Sequence, residues 1–326
     1  MPRAGLGWLT GLAALALASF LIAAAVGSLA IGPGDLLATL VGEGTARDVV
    51  WGLRLPRAAA GFVTGGLLAL AGALMQVLLR NPLADPYVLG ISGGAAVGAL
   101  STILLGLGAL WTSGGAFAGA LTSMLLVFGL AHGRGGWTPT RLLLNGVVVA
   151  AGWSAVVSFL LAVGPPTDVR GMLFWLMGDL ATAPSAAGPA VVLIVGLTAA
   201  LAVARNLNLL ARGELQAQAL GVSVRGLRLL IYLLASLLTA TAVTLAGSVG
   251  FVGLVVPHLL RLAMGADHRL LLPAAVLLGG TFVVLADTLA RTAFAPQQLP
   301  VGVFSVFIGV PVFLFLLHRG GREVPS

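Results

Sequence analysis

Apolar residues in this chain fall into long uninterrupted runs, separated by short stretches rich in arginine, glycine and proline. The first run, Leu6 to Ile31, is followed by others near 58–79, 88–110, 114–132, 142–163, 187–204, 229–247, 251–264, 270–290 and 300–317. About 20 apolar residues in a helix rising 1.5 Å per residue cross about 30 Å of hydrocarbon, a length most of these runs approach or exceed. The pattern predicts an all-α, polytopic membrane protein with ten transmembrane helices, in a single domain over residues 1–326. The run 251–264 is short and contains Pro257, so its ends are the least defined. A piece near 164–182 is too short and too polar to span, and reads as a re-entrant or surface helix. The opening run, after Met1-Pro2-Arg3, resembles a secretory signal peptide taken alone; its length and the spans that follow favour an uncleaved first helix.

Composition supports the membrane class. Of 326 residues, 59% are hydrophobic and 8% charged, with mean hydropathy +1.09, whereas about a quarter of a soluble chain is charged. There is no cysteine, which excludes disulfides, thiolate metal sites and cysteine nucleophiles. All 17 basic residues are arginine. Without lysine the chain cannot carry the phosphate-binding loop GxxxxGK[ST], nor perform Schiff-base chemistry.

The net charge of +7 is explained by topology rather than by nucleic acid. Ten spans put both termini on one side. With the termini inside, the predicted inner segments hold twelve arginines and four acids, net +8, and the outer ones five arginines and six acids, net −1. That is the sign the positive-inside rule requires. Small residues at i, i+4 and i+8 in Gly90, Gly94 and Gly98, and at Gly61/Gly65 and Gly115/Gly119, predict close helix packing. Ionisable residues deep in the spans are almost absent: Asp287 is near an outer end with Arg291 four residues on, and the four histidines fall towards inner ends. A carrier driven by protons or sodium usually holds such groups near the midplane, so energy is expected from elsewhere.

The longest polar interval is Arg205–Arg228, between two apolar runs. Gly213 to Gly221 reads as a short helix with Glu214 in its first turn and glycine at its end. Ser223 is placed to cap a second short helix running into Arg225 and Arg228.

Three blocks carry a resemblance. Met75-Gln-Val-Leu-Leu-Arg-Asn-Pro-Leu-Ala-Asp-Pro-Tyr-Val-Leu-Gly-Ile-Ser-Gly-Gly94 resembles the signature of the FecCD family. Gly250-Phe-Val-Gly-Leu-Val-Val-Pro-His-Leu-Leu-Arg261 with Asp267-His-Arg-Leu-Leu-Leu-Pro273 is a second block. Leu285 to Arg291, Leu299 to Gly302 and Gly309 to Phe313 form the third. These are the permease subunits of ABC importers for iron-siderophores, haem and vitamin B12, in the bacterial inner membrane with both termini cytoplasmic.

The resemblance implies a transport subunit rather than an enzyme. It implies a homodimer with the path along the two-fold axis, two copies of a separate ATPase that binds ATP and Mg, and a periplasmic substrate-binding protein. No cofactor or metal site is expected in this chain, and no nucleic acid partner. Arg54, Arg57 and Arg291 match the arginines that receive acidic residues of the binding protein, with interfacial anchoring or pairing to Asp48 and Asp287 as the rival reading. Arg212, Gly213, Glu214, Leu215, Ala219, Leu220, Gly221 and Arg225 match the element that couples to the ATPase. Asn81, Pro82, Leu83, Thr138 and Thr140 match the cytoplasmic gate, against ordinary turn chemistry. Asp168, Arg170 and Met172 fall on the piece that forms the periplasmic gate. Short loops resemble haem permeases more than cobalamin ones, so haem is the expected cargo, with iron-siderophores and cobalamin as alternatives. An autonomous secondary transporter is the rival of a different class.

Overall fold

A computed structural model describes residues 3–27, 31–41, 46–131, 138–181 and 183–320. The elements are α1 (Arg3–Ala25), α2 (Pro33–Val41), α3 (Arg47–Val49), α4 (Leu55–Leu78), α5 (Ile91–Leu104), α6 (Ala109–Ala131), α7 (Pro139–Val163) and α8 (Pro166–Leu176). They continue with α9 (Ala187–Ala202), α10 (Ala204–Arg212), α11 (Glu214–Ala219), α12 (Val224–Ala246), α13 (Val252–Met264), α14 (His268–Ala290) and α15 (Val301–Gly320). A π-helical turn, Val50–Arg54, joins α3 to α4 so that Arg47–Leu78 runs as one helix of 32 residues.

Among the described residues six helices are long and apolar enough to cross a membrane, and α9 joins them if it and α10, bent by 61°, count as one span. Three shorter apolar helices, Ile91–Leu104, Val252–Met264 and Val301–Leu316, complete the ten predicted positions. The first two are about 20 Å long at 1.5 Å per residue, less than the hydrocarbon thickness. Each starts from irregular backbone, which lipid does not tolerate unless protein covers it. The cover is visible. Asp85 caps a 3₁₀ turn, Pro86–Leu89, by accepting from the Tyr87 N–H at 2.8 Å. The Tyr87 hydroxyl donates to the Val249 carbonyl and accepts from the Val249 N–H, both at 3.1 Å. Ser92 and Ser248 pair at 3.1 Å, and Ser123 Oγ donates to the Gly90 carbonyl at 2.8 Å.

The bundle is arranged around α4, whose apolar stretch is 89% buried, while α7 is 6% buried and faces outward. Contact in lipid rests on close backbone approach, because hydrocarbon gives apolar side chains no reason to leave it. A Cβ on Gly65 would lie 2.0 Å from the Gly279 carbonyl of α14, and one on Gly72 1.9 Å from the Gly253 carbonyl of α13. Gly94 and Gly98 of α5 pack in the same way on Gly119 and Gly115 of α6, as the small-residue spacing predicts.

Two expectations change. The second short helix predicted after Ser223 is not separate: Val224 to Arg228 form the first turns of α12, and Ser223 makes no side-chain cap. The short helices are instead α10 and α11, the first of them arising from the sharp bend after α9. Read from the sequence as a helix interruption between Thr138 and Thr140, Pro139 instead begins α7 at its first helical position.

Candidate functional site

Three arginines meet where α1 ends, α4 begins and α14 ends. The last carbonyls of α1 have no partners within that helix and carry the negative end of its dipole. Arg54 Nη1 donates to the carbonyls of Ala24 at 2.6 Å and Ala25 at 3.0 Å, and Arg291 Nη2 donates to that of Ala23. Arg57, in the first turn of α4, grips Asp287 in the last turn of α14. Its Nε donates to both carboxylate oxygens at 3.1 and 2.8 Å, and Nη2 to Oδ1 at 2.8 Å. Arg57 Nη1 donates to Gln298 Oε1 at 2.8 Å.

Pairing to Asp287 is therefore realised for Arg57. Arg291, the i,i+4 candidate, lies 3.9 Å from the same carboxylate, so it is the weaker contact. Asp48 is exposed. Arg54, Arg57, Arg291 and Gln298 line one cavity of about 400 Å³ that opens at this face. With Asp287 counted, the cluster carries a net +2, which suits a carboxylate ligand.

The opposite face carries α10 and α11. Helix α10 buries Ala204, Leu207 and Leu210 on one side and turns Arg205 and Arg212 outward. Helix α11 buries Ala217 and closes as predicted: Gly221 (φ +81°) donates to Gln218 and Val222 to Ala217, a left-handed glycine stop. Glu214 forms a two-pronged ion pair with Arg228 at 3.1 and 2.6 Å, fastening α11 to the first turns of α12. The other residues expected to couple to the ATPase, Arg212, Leu215, Ala219, Leu220, Gly221 and Arg225, lie on the surface, and Gly213 is half-buried. Leu215 is 81% and Leu220 66% exposed. A groove of about 370 Å³ between α10 and the turn after α11 is lined by Arg205, Leu209 and Leu220 among others.

The residues expected to form the cytoplasmic gate lie in two self-contained turns. Asn81 Oδ1 accepts from the Leu83 N–H at 2.9 Å, and Pro82 and Leu83 are exposed. Thr138 caps α7 by accepting from the Arg141 N–H at 3.3 Å, and Thr140 is exposed beside it. On α8, Asp168 sits in the first turn and Arg170 lies over the Phe174 ring at 5.7 Å, while Met172 is fully buried inside the subunit. His132, Arg134 and Arg322 fall outside the described residues.

Sequence reasoning missed Asn208, whose amide reaches from α10 to the start of α14. It also missed the polar knot of Tyr87, Ser92 and Ser248. Partners separated by 59 to 162 positions leave no local signal. Asn208 Nδ2 donates to Asp267 Oδ1 at 2.8 Å. That hydrogen bond, with help from the Arg269 N–H, holds the Asp267 carboxyl below the usual carboxylate range despite some burial.

A family model described as the FecCD transport family matches residues 15–319. The chain is 46% identical over 286 residues to a cobalamin import system permease protein BtuC of Halobacterium salinarum, covering 86% of this chain and 75% of that one. It is 39% identical over 323 residues to a vitamin B12 import system permease protein BtuC of Shigella sonnei, covering 98% and 97%. The fold superposes on a solved structure described as a metal-chelate type ABC transporter in an inward-facing conformation. The TM-score there is 0.84 at 30% identity, over 97% of this chain and 99% of that one. PsaBC from Streptococcus pneumoniae, at 19% identity and TM-score 0.54 over 80% of this chain and 90% of that one, shares the fold.

Proposed function

The chain belongs to the FecCD transport family and is a permease subunit of an ABC importer; from that premise we propose that its cargo is cobalamin. The observation that carries this reading is the identity of 46% and 39% to permeases of cobalamin and vitamin B12 import, the latter along nearly the whole length of both chains. Haem, the expectation from loop length, gives way. Loop length reports little about cargo, whereas identity of this order extends through the helices that would line the path.

Two copies of the chain form the pathway, and each face receives a partner. The arginine cavity is the periplasmic docking site for the cobalamin-binding protein. A carboxylate entering it would meet Arg54 and Arg291, already oriented by the α1 carbonyls, and Arg57, oriented by Asp287. Preorganised guanidinium groups lose little side-chain freedom on binding, and their net +2 speeds encounter with an acidic surface. Exposed Leu215 and Leu220, with the groove beside them, form the cytoplasmic seat of the ATPase. The turn at Asn81–Leu83 and the start of α7 at Thr138–Thr140 close the path on that side, and α8 closes it on the other. This chain binds, orients and opens; ATP is hydrolysed by the partner, since a chain without lysine has no phosphate loop of its own.

Cargo is tested on the cognate binding protein, titrated with cyanocobalamin and, separately, with haemin. Saturable cobalamin binding, with the bound form captured by the permease in detergent, is the expected result. A Soret shift with haemin and no response to cobalamin would overturn the assignment.

A further inference from the structure

The amide of Asn208 joins two elements that have no covalent link nearer than 59 residues. Its orientation is fixed by chemistry. The Asp267 carboxylate only accepts, so Nδ2 must face it, and Oδ1 must then face His268. Oδ1 accepts from the His268 backbone N–H at 2.9 Å and lies 2.6 Å from His268 Nδ1, which puts the imidazole proton on Nδ1. His268 is 1% exposed, so its side of the amide is shielded from water, whereas the Asp267 side is exposed. The first N–H groups of a helix have no partner within it. At α14 the Arg269 N–H is taken by Asp267 and the His268 N–H by Asn208. One of the two capping acceptors of α14 is thus supplied by α10.

Helix α14 then runs about 34 Å, at 1.5 Å per residue, to the arginine cavity on the opposite face. There Asp287 holds Arg57, and Arg291, just past the helix end, reaches the end of α1. Along the way Gly279 and Gly65 bring α14 and α4 into backbone contact, so the two helices shift together rather than bend apart. The other fastening of the short helices, Glu214 to Arg228, leads to α12 and is one-third exposed at Glu214. We propose that Asn208 is a positioning residue that locks the ATPase-facing helix α10 to the start of α14, so that displacement of α10 is carried along α14 to the arginine cavity. This rests on the reading of α10–α11 as the ATPase-facing element.

The test uses the permease with its own ATPase in nanodiscs, and reads how strongly the binding protein, added on the opposite face, stimulates ATP hydrolysis. Cargo identity does not enter this readout. N208D sets a second carboxylate against Asp267 and removes the donor; stimulation should fall about tenfold, a coupling of ordinary size for groups in one network, while the ATPase still co-purifies. The double variant N208D/D267N sets an amide donor against the new carboxylate and leaves one carboxylate in the cluster. The amide oxygen now at position 267 must turn to keep the Arg269 N–H, so stimulation should recover at least about threefold over N208D without reaching wild type. Full stimulation in N208D, or a double variant as impaired as the single one, would overturn the proposal. So would loss of ATPase binding in N208D, which would make Asn208 part of the contact itself. If α10–α11 is not the ATPase-facing element, L215D leaves assembly intact, a failure read separately from that of the Asn208 link.

Discussion

Arg57 and Asp287 show what a single residue pair does here. Both are largely buried, at 14% and 5% side-chain exposure, and the carboxylate is gripped by two guanidinium nitrogens. Replacing one partner strands the other charge, at a cost of about 3–5 kcal/mol for a buried pair. Asp287→Ala should therefore lower the detergent-solubilised unfolding midpoint markedly and, by freeing Arg57, weaken capture of the binding protein. An unchanged midpoint would mean that water solvates the stranded guanidinium. Leu215→Asp is the opposite case. With Leu215 81% exposed, stability should move by no more than about 0.5 kcal/mol. Co-purification of the ATPase should nevertheless be lost, and retention at wild-type yield would remove α11 from the interface. At this scale the sequence made the arginines conspicuous, because cations expected on the translocated side oppose the topological bias. Asp287 was readable as one of two rival partners. Asn208 was not, since nothing local marks a polar residue whose acceptors and donors arrive from a helix 59 residues away.

Elements were legible where period and length agree, and least so where the backbone breaks. The runs behind α1, α4, α6, α7, α12 and α14 are long and apolar, and each appears as a full span. The short helices α5 and α13 begin at residues with positive φ, Gly90 (+70°) and Phe251 (+68°). Tertiary hydrogen bonds to Tyr87 and Ser248 hold those breaks, which a hydropathy pattern does not register. Ser223 illustrates the same limit. Its residue type suits a cap, but Val224, Leu227 and Ile231 bury one continuous stripe and carry the helix through. Close packing gives the sharpest prediction for an element. Gly72→Ala would place a methyl 1.9 Å from the Gly253 carbonyl, forcing α4 and α13 apart. Alanine normally gains about 1 kcal/mol over glycine inside a helix, and here the sign should reverse to a loss of about 1–3 kcal/mol, the usual cost of overpacking. Gly11→Ala on α1, with nothing within 4 Å, is the control and should be neutral or slightly stabilising by unfolding in detergent.

For the whole molecule, composition and the arginine-only basic set already separate the transport path from its energy source. The chain has the spans but not the phosphate loop, and the longest polar interval is where we propose that a separate motor attaches. An all-helical polytopic architecture, the short helix α8 and the short helix α11 closing at Gly221 were legible, while the bend that makes α10 and the identity of the cargo were not. Loop length pointed to haem, whereas the named relatives are permeases of cobalamin and vitamin B12 import. On the proposed function, this subunit carries cobalamin only when a partner ATPase drives it. The direct measurement is uptake of labelled cyanocobalamin into proteoliposomes holding the permease and its ATPase, with binding protein on the outside and ATP within. Uptake that requires ATP and the binding protein, and is not displaced by haemin, is the predicted result. Uptake driven by an ion gradient without the ATPase, or haem uptake with cobalamin excluded, would contradict it.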